Sequence, residues 1–287
     1  MPLPAITITP DQYKGGGEVP AFPINQFDTR LLAQGDSWFS IGALPPFLTT
    51  NLLFGLKRNK STCIVNCAVP GQVLRHMTDT TTNTTFLQIL GGVQSMKFDG
   101  ILLSGGGNDM IDALQSTDAN PARRLLRFQA EWGPPGSGAA RYISEAGWAV
   151  FESHLGDVFT RFIAARDGGV NKDVPVFFHS YDFATARDSG AGFGFGPWLF
   201  KAFNSFQVPM ADWDAVSAEL FQRLRALLGQ MQSSQPNAHM VDTMGTLTRA
   251  LNSDTGATAD WQNEIHPTRS GYKKLSAKWA QALDAAL

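Results

Sequence analysis

Three residues that together could activate a hydroxyl group lie far apart in the sequence, and each follows a segment typical of a buried strand. They are Ser37, Asn108 and His266. A serine hydroxyl is a poor nucleophile until a base removes its proton, and histidine is the commonest such base. Read alone, Gly35-Asp36-Ser37 is simply a turn, because all three residue types favour turns. Chemistry at Ser37 therefore requires a fold that brings distant partners to it.

The composition is that of an ordinary globular protein with enough apolar material for a core. The chain has 287 residues, of which 43% are hydrophobic, and 23 Lys and Arg against 25 Asp and Glu give a net charge of −2. This near-neutral balance argues against a nucleic-acid partner, since such proteins normally carry a basic excess. No stretch reaches the roughly 18 uncharged apolar residues that a membrane span requires.

The sequence contains no signal for export, metal binding or a cofactor. Its first residues lack the basic segment and apolar run of a secretory signal, so a cytoplasmic location is the default expectation, with export by another route left open. No His-Glu-x-x-His motif or Cys/His spacing indicates a metal site. The glycine-rich stretch at 190–196 is neither a dinucleotide fingerprint nor a phosphate loop, so we expect no cofactor. The oligomeric state is left open.

Strand-like and helix-like segments alternate along the chain. Strands are predicted at 30–34, 62–67, 98–103, 174–179 and 239–242. Helices are predicted at 44–58, within 72–95, at 142–166, at 212–231 and at 272–287. This order implies a parallel sheet with helices on both faces. We therefore expect an α/β fold, a three-layer α/β/α doubly wound sandwich with a central, mainly parallel five-stranded sheet. It forms a single domain over 1–287, with an irregular arm at 1–27.

The expected sheet explains how the distant residues meet. The carboxyl ends of parallel strands lie at one edge of a sheet, and open α/β proteins bind their ligands there. Ser37, Gly71 and Asn108 follow the first three predicted strands, and His266 lies in the loop after the last one. We expect all four residues at that edge.

Four short blocks resemble, in content and order, those of the SGNH (GDSL-like) hydrolase family. They are Gly35-Asp36-Ser37, Gly71, Gly106-Gly107-Asn108-Asp109 and His266-Pro267. The resemblance implies a flavodoxin-like sandwich and an esterase- or lipase-like enzyme that cleaves a small-molecule or lipid ester without a cofactor. It also implies an acyl-enzyme on Ser37, His266 as general base, and an oxyanion hole from the N–H groups of Ser37 and Gly71 and the side chain of Asn108.

The position three residues before the histidine departs from that family, which usually has an Asp there. This chain has Asn263. An amide oxygen can accept the Nδ1–H bond of an imidazole, but it cannot stabilise an imidazolium by charge. Glu264 and Asp260 are acidic alternatives, although Glu264 is one residue out of register, and we favour Asn263. The missing Asp keeps open a weak or inactive binding protein of the same fold, and an acyltransferase using the same site is a further alternative.

Residues 184–212 combine alternating glycines with aromatic residues. Such a segment is either a surface loop with a few anchoring aromatics or a mobile apolar lid beside the reactive centre. Together with residues next to the strand ends, it supplies the expected substrate-binding residues, namely Trp38, His179, Tyr181, Phe193, Phe195 and Trp198.

Overall fold

Short strands and helices alternate along most of the chain. The computed structural model describes residues 1–16, 20–40 and 50–287. Its strands are β1 (Leu3–Pro4), β2 (Ile6–Ile8), β3 (Thr29–Gly35), β4 (Lys57–Arg58), β5 (Thr62–Asn66), β6 (Gly100–Ser104), β7 (Val176–His179) and β8 (Ala238–Val241). Its α-helices are α1 (Pro10–Lys14), α2 (Leu74–Met77), α3 (Thr84–Leu90), α4 (Gly107–Gln115), α5 (Glu145–Asp167), α6 (Leu199–Ser205), α7 (Trp213–Ser234) and α8 (Arg269–Ala286).

Six of these strands form one sheet in which every neighbouring pair is parallel. Their spatial order is β2-β5-β3-β6-β7-β8, and β1 and β4 form a separate antiparallel pair. The chain leaves β3 for β5 on one side and then returns to β6 on the other. The switch point of the sheet, where open α/β proteins bind ligands, therefore lies between β3 and β6.

The predicted α/β fold with a mainly parallel sheet is confirmed, but the predicted number of five strands was wrong. The additional strand is β2, where Ile6, Thr7 and Ile8 pair with Cys63, Ile64 and Val65 of β5. It lies in the arm at 1–27, which is therefore not irregular throughout, since α1 also forms there. A three-residue strand is too short to show a sequence period, and only pairing with β5 reveals it.

Helices cover both faces of the sheet, as the side chains of β7 show. Phe178 packs against Phe159 of α5, with ring centroids 4.9 Å apart, and the next residue, His179, packs against Trp279 of α8 at 5.7 Å. Because successive strand residues point to opposite faces, α5 and α8 lie on opposite sides of the sheet. The architecture is therefore three-layered.

The predicted helices agree with the structure except near the start of the chain. The stretches at 142–166, 212–231 and 272–287 correspond to α5, α7 and α8, and 72–95 contains α2 and α3. The helix predicted at 44–58 is wrong over 50–58, where a 3-10 turn (Leu53–Gly55) and β4 occur, and 44–49 lies outside the described residues. The side chain of Asn51 accepts the N–H groups of Leu53 and Phe54, and such side-chain bonds compete with a helix.

Strand register brings the ends of β3 and β6 together. Gly35, the last residue of β3, pairs with Ser104, the last residue of β6. The N–H of Asp36 continues this ladder by donating to the carbonyl of Ser104 at 3.0 Å. The turn that carries Ser37 and the start of α4, which carries Asn108, therefore leave the sheet side by side.

Two glycines of α5 provide a matched test of how this helix packs against the rest of the protein. A Cβ at Gly147 would lie 1.8 Å from the carbonyl oxygen of Arg124, whereas a Cβ at Gly156 would meet nothing within 4 Å. We expect Gly147→Ala to destabilise the protein by about 1–3 kcal/mol through overpacking. We expect Gly156→Ala to stabilise it by about 0.5–1 kcal/mol, because alanine favours the helix. Urea unfolding measures both, and equal effects would contradict the described packing.

Candidate active site

The turn after β3 is built around the buried carboxylate of Asp36. Its Oδ1 accepts the N–H of Trp38 at 3.0 Å and the hydroxyl of Ser104 at 2.7 Å, and its Oδ2 accepts the hydroxyl of Tyr181 at 2.6 Å. Burial raises the pKa of Asp36 to about 6, although the three donors oppose that rise. These bonds hold the backbone that carries Ser37.

The hydroxyl of Ser37 contacts the imidazole of His266. The Oγ–Nε2 distance is 2.7 Å across a separation of 229 residues in the chain, and both residues are buried. A second bond joins the two loops, since the indole N–H of Trp38 donates to the carbonyl of Ile265 at 3.2 Å. The predicted partners Ser37 and His266 are thus brought together within hydrogen-bond distance.

The other nitrogen of the imidazole faces an amide oxygen. Nδ1 of His266 lies 3.1 Å from Oδ1 of Asn263, which also accepts the backbone N–H groups of Ile265 and His266 at 3.1 and 2.9 Å. With a neutral partner, no charge offsets the cost of burying an imidazolium, and burial lowers the pKa of His266 to about 4. The ring is therefore neutral at pH 7 and can accept a proton from Ser37.

Neither acidic alternative contacts the histidine ring. Glu264 accepts the backbone N–H groups of Arg187, Leu199 and Phe200 at 3.2, 2.9 and 2.7 Å, and also that of Trp198. Asp260 accepts the N–H of Thr248 and pairs with Lys274. Both carboxylates therefore anchor neighbouring segments, and Asn263 alone of the three stands at Nδ1.

Besides Ser37, the residues expected to form an oxyanion hole follow β5 and β6. Asn108, at the start of α4, lines the same cavity as Ser37, and its Nδ2 donates to the carbonyl of Gln72 at 3.1 Å. Gly71 has a φ of +74°, a backbone conformation that favours glycine. Among the hydrogen bonds of the described residues, none has the backbone N–H of Ser37 or Gly71 as its donor.

The residues expected to bind substrate fall into two groups. Trp38 and Tyr181 line the cavity, and the ring of Trp198 packs edge-on against the ring of His266 at 5.6 Å. His179 does not line it, because this buried ring lies behind the wall, 5.1 Å from the ring of Trp38 and 4.3 Å from that of Tyr181. Its Nε2 contacts the hydroxyl of Ser104 at 2.9 Å, and burial lowers its pKa to about 3.

The two remaining phenylalanines also lie outside the cavity. Phe193 is 86% exposed and Phe195 is 62% exposed, in a tight turn closed by the bridge between Gly192 and Phe195. Neither ring belongs to the cavity wall. Their expected role in binding substrate therefore has no support in the structure.

The segment at 184–212, for which a surface loop and a mobile lid were both considered, is anchored at several points. The carbonyl of Ala184 accepts the hydroxyl of Ser217, Thr185 donates to the carbonyl of Ala250, and Glu264 binds the N–H groups at 198–200. Residues 199–205 form α6. The residues exposed like those of a surface loop lie mainly at 192–195 and at 209–211.

Several cavity-lining residues were not predicted from the sequence. They are Ile111, Ala184, Phe221, Trp261 and Ile265. Ile111 could have been found, because it lies three residues after Asn108 on α4 and therefore on the same helix face. Phe221 carries no such signal, since it reads as an ordinary core position of α7.

Neither a metal-binding cluster nor a membrane-spanning helix occurs in the described ranges. No group of three or more His, Cys, Asp or Glu side chains there is arranged to hold a metal ion. Among the helices of those ranges, none combines the length and apolar character of a membrane span.

Comparisons with known proteins concern the fold. No protein-family model matches the sequence, and the search of curated proteins gave no match. Among solved structures, an extracellular lipase from Streptomyces rimosus matches with a TM-score of 0.50 and 14% identity, over 90% of this chain and 100% of that chain. The chain has the SGNH/GDSL hydrolase fold. Phospholipase A1 from Streptomyces albidoflavus NA297 shares this SGNH/GDSL fold, at a TM-score of 0.50 and 13% identity over 90% of this chain and 99% of that one.

The neutral partner of His266 leads to a test that does not depend on activity. Asn263→Asp places a carboxylate where the amide oxygen now lies 3.1 Å from Nδ1, and an adjacent negative charge favours the imidazolium. We expect the pKa of His266 to rise from about 4 toward or above the ordinary histidine value. NMR titration of labelled histidines measures this shift, with buried His179 as an internal control that should not move. An unchanged His266 titration would contradict the described contact.

Proposed function

We propose that the protein is a serine hydrolase that cleaves a carboxylic ester through an acyl-enzyme on Ser37, within one catalytic domain. The observation that carries this proposal is the 2.7 Å contact between Ser37 Oγ and His266 Nε2 at the wall of a cavity. The SGNH/GDSL fold adds support, because the contact lies at the carboxyl edge of the sheet where ligands bind.

The proposed reaction has two matching halves. Ser37 Oγ forms a bond to the ester carbonyl carbon while His266 takes its proton, and the resulting tetrahedral intermediate then expels the alcohol, which receives that proton. A water molecule attacks the acyl-enzyme in the same way, and His266 returns the proton to Ser37 as the acid leaves. A pKa near 4 makes His266 a weak base but a strong acid toward the departing alkoxide.

Three donors are proposed to stabilise the negative oxygen of the intermediate. They are the backbone N–H groups of Ser37 and Gly71 and the side-chain amide of Asn108. The amide nitrogen of Asn108 carries two hydrogens, and its bond to the carbonyl of Gln72 uses one of them, which orients the other. Loss of one such donor typically lowers the rate about a hundredfold or more.

A reactive-serine probe tests this function directly. We expect a fluorophosphonate to label Ser37 and p-nitrophenyl acetate to be hydrolysed, with both signals lost in Ser37→Ala because the nucleophile is gone. Circular dichroism of Ser37→Ala confirms that its fold is intact. Absence of labelling on folded wild-type protein would favour the binding-protein alternative, and labelling with faster transfer to an added alcohol than to water would favour an acyltransferase.

The orienting residue is tested by two substitutions in the same loop. We expect Asn263→Ala to lower kcat/KM by about tenfold or more, since a hydrogen bond of about 1–1.5 kcal/mol that aligns the imidazole is lost. Glu264→Gln weakens the anchoring at 198–200 instead, so it should lower the melting temperature while kcat per folded molecule stays close to that of the parent. Steady-state kinetics and thermal unfolding separate the two. Unchanged turnover in Asn263→Ala, with turnover abolished in Glu264→Gln, would assign the orienting role to Glu264.

A further inference from the structure

The cavity beside Ser37 is small. It is lined by Ser37 and Asn108 and by apolar side chains that include Ile111, Phe221 and Trp261. The space inside it that is open to water-sized groups is about 30 Å³. One water-sized group needs roughly 10–15 Å³, so the cavity holds about two or three of them.

The polar residues in the cavity wall are already occupied by the protein. The hydroxyl of Tyr181 donates to Asp36, whose other oxygen accepts two further donors. The oxygens of Asp182 accept four backbone N–H groups, from Phe183, Gly245, Thr246 and Leu247. Besides Ser37 and Asn108, the one unpaired polar group in the described wall is the buried indole N–H of Trp261, and the rest of the surface offered to a ligand is apolar. Such a wall suits a hydrocarbon chain better than a sugar or a charged group.

The chemistry of the proposed reaction assigns the two parts of the ester to different places. The leaving oxygen must lie near Nε2 of His266, because it receives its proton from that atom. In the proposed reaction the alcohol portion therefore leaves beside His266, against whose ring Trp198 packs. The acyl chain, on the other side of the carbonyl carbon, is then assigned to the cavity that Ile111 and Phe221 line.

We propose that this cavity is the acyl-binding pocket and that it restricts the enzyme to esters of short acyl groups, of about two to four carbons. This inference rests on the proposed ester hydrolase function. The apolar wall of the cavity includes two helical side chains, Ile111 on α4 and Phe221 on α7, and both are buried. Longer chains are excluded because packed helical side chains do not withdraw without cost.

The wild-type protein tests the proposal through p-nitrophenyl esters of acetate, propionate, butyrate, hexanoate and octanoate. Each kcat/KM is divided by the rate constant for alkaline hydrolysis of the same ester, which removes differences in chemical reactivity. We expect this ratio to fall by about tenfold or more between butyrate and hexanoate. A ratio that stays level or rises through octanoate would overturn the proposal while leaving the ester hydrolase function intact. Lack of hydrolysis of every ester, with no labelling of Ser37, would overturn the function itself.

Substitutions in the cavity wall then identify the side chains that limit the length of the acyl chain. We expect Phe221→Ala to raise the hexanoate-to-acetate ratio by about tenfold or more, and Ile111→Ala provides a second, smaller change in the same wall. Phe54→Ala is the matched control, because that ring is 59% exposed and lies outside the cavity wall. Phe193→Ala tests the loop at 190–197, and a change of chain-length preference there, without one in Phe221→Ala or Ile111→Ala, would assign the acyl chain to the loop and overturn the proposal.

Discussion

The hydrogen bond between Ser37 Oγ and His266 Nε2 joins two loops that lie 229 residues apart in the chain. It forms only if both loops are held by other contacts, because a single hydrogen bond contributes only about 0.5–1.5 kcal/mol of net stability. Asp36 holds the first loop to β6 and to Tyr181, and Trp38 ties that loop to the carbonyl of Ile265. The parallel sheet sets the starting points of both loops, and the local bonds determine the final distance.

Both hydrogen-bond partners of the His266 ring, Ser37 and Asn263, are uncharged side chains. The nearest partner of its Nδ1 is a neutral amide, whereas the buried carboxylates of Asp36 and Glu264 are surrounded by N–H and O–H donors of their own. Burial raises the pKa of Glu264 to about 7 and lowers that of His266 to about 4. The two carboxylates therefore serve to hold the backbone, and the proton transfer that we propose depends on a neutral, buried histidine.

Loop and helix contribute different properties to the cavity. The loop after β3 supplies Ser37 and the first turn of α4 supplies Asn108, the groups proposed to react with the ester or stabilise its oxygen. The helices α4 and α7 supply Ile111 and Phe221, which limit its depth. Because helix packing resists change more than a surface loop does, the proposed chain-length limit resides in the more rigid part of the protein.

The sequence by itself determined the strand–helix order, the five main strands and the order of the four family-like blocks, because these depend on local patterns of apolar residues and turns. It also indicated Asn263 through its spacing from His266. Only the tertiary structure decided that β2 joins the sheet, that His179 faces α8 and that Phe193 and Phe195 stay outside the cavity. It also decided that Glu264 binds the N–H groups at 198–200. Those outcomes depend on which side chains meet across distant elements. A shift of one residue along a strand turns a side chain to the opposite face of the sheet, and composition gives no sign of such a shift.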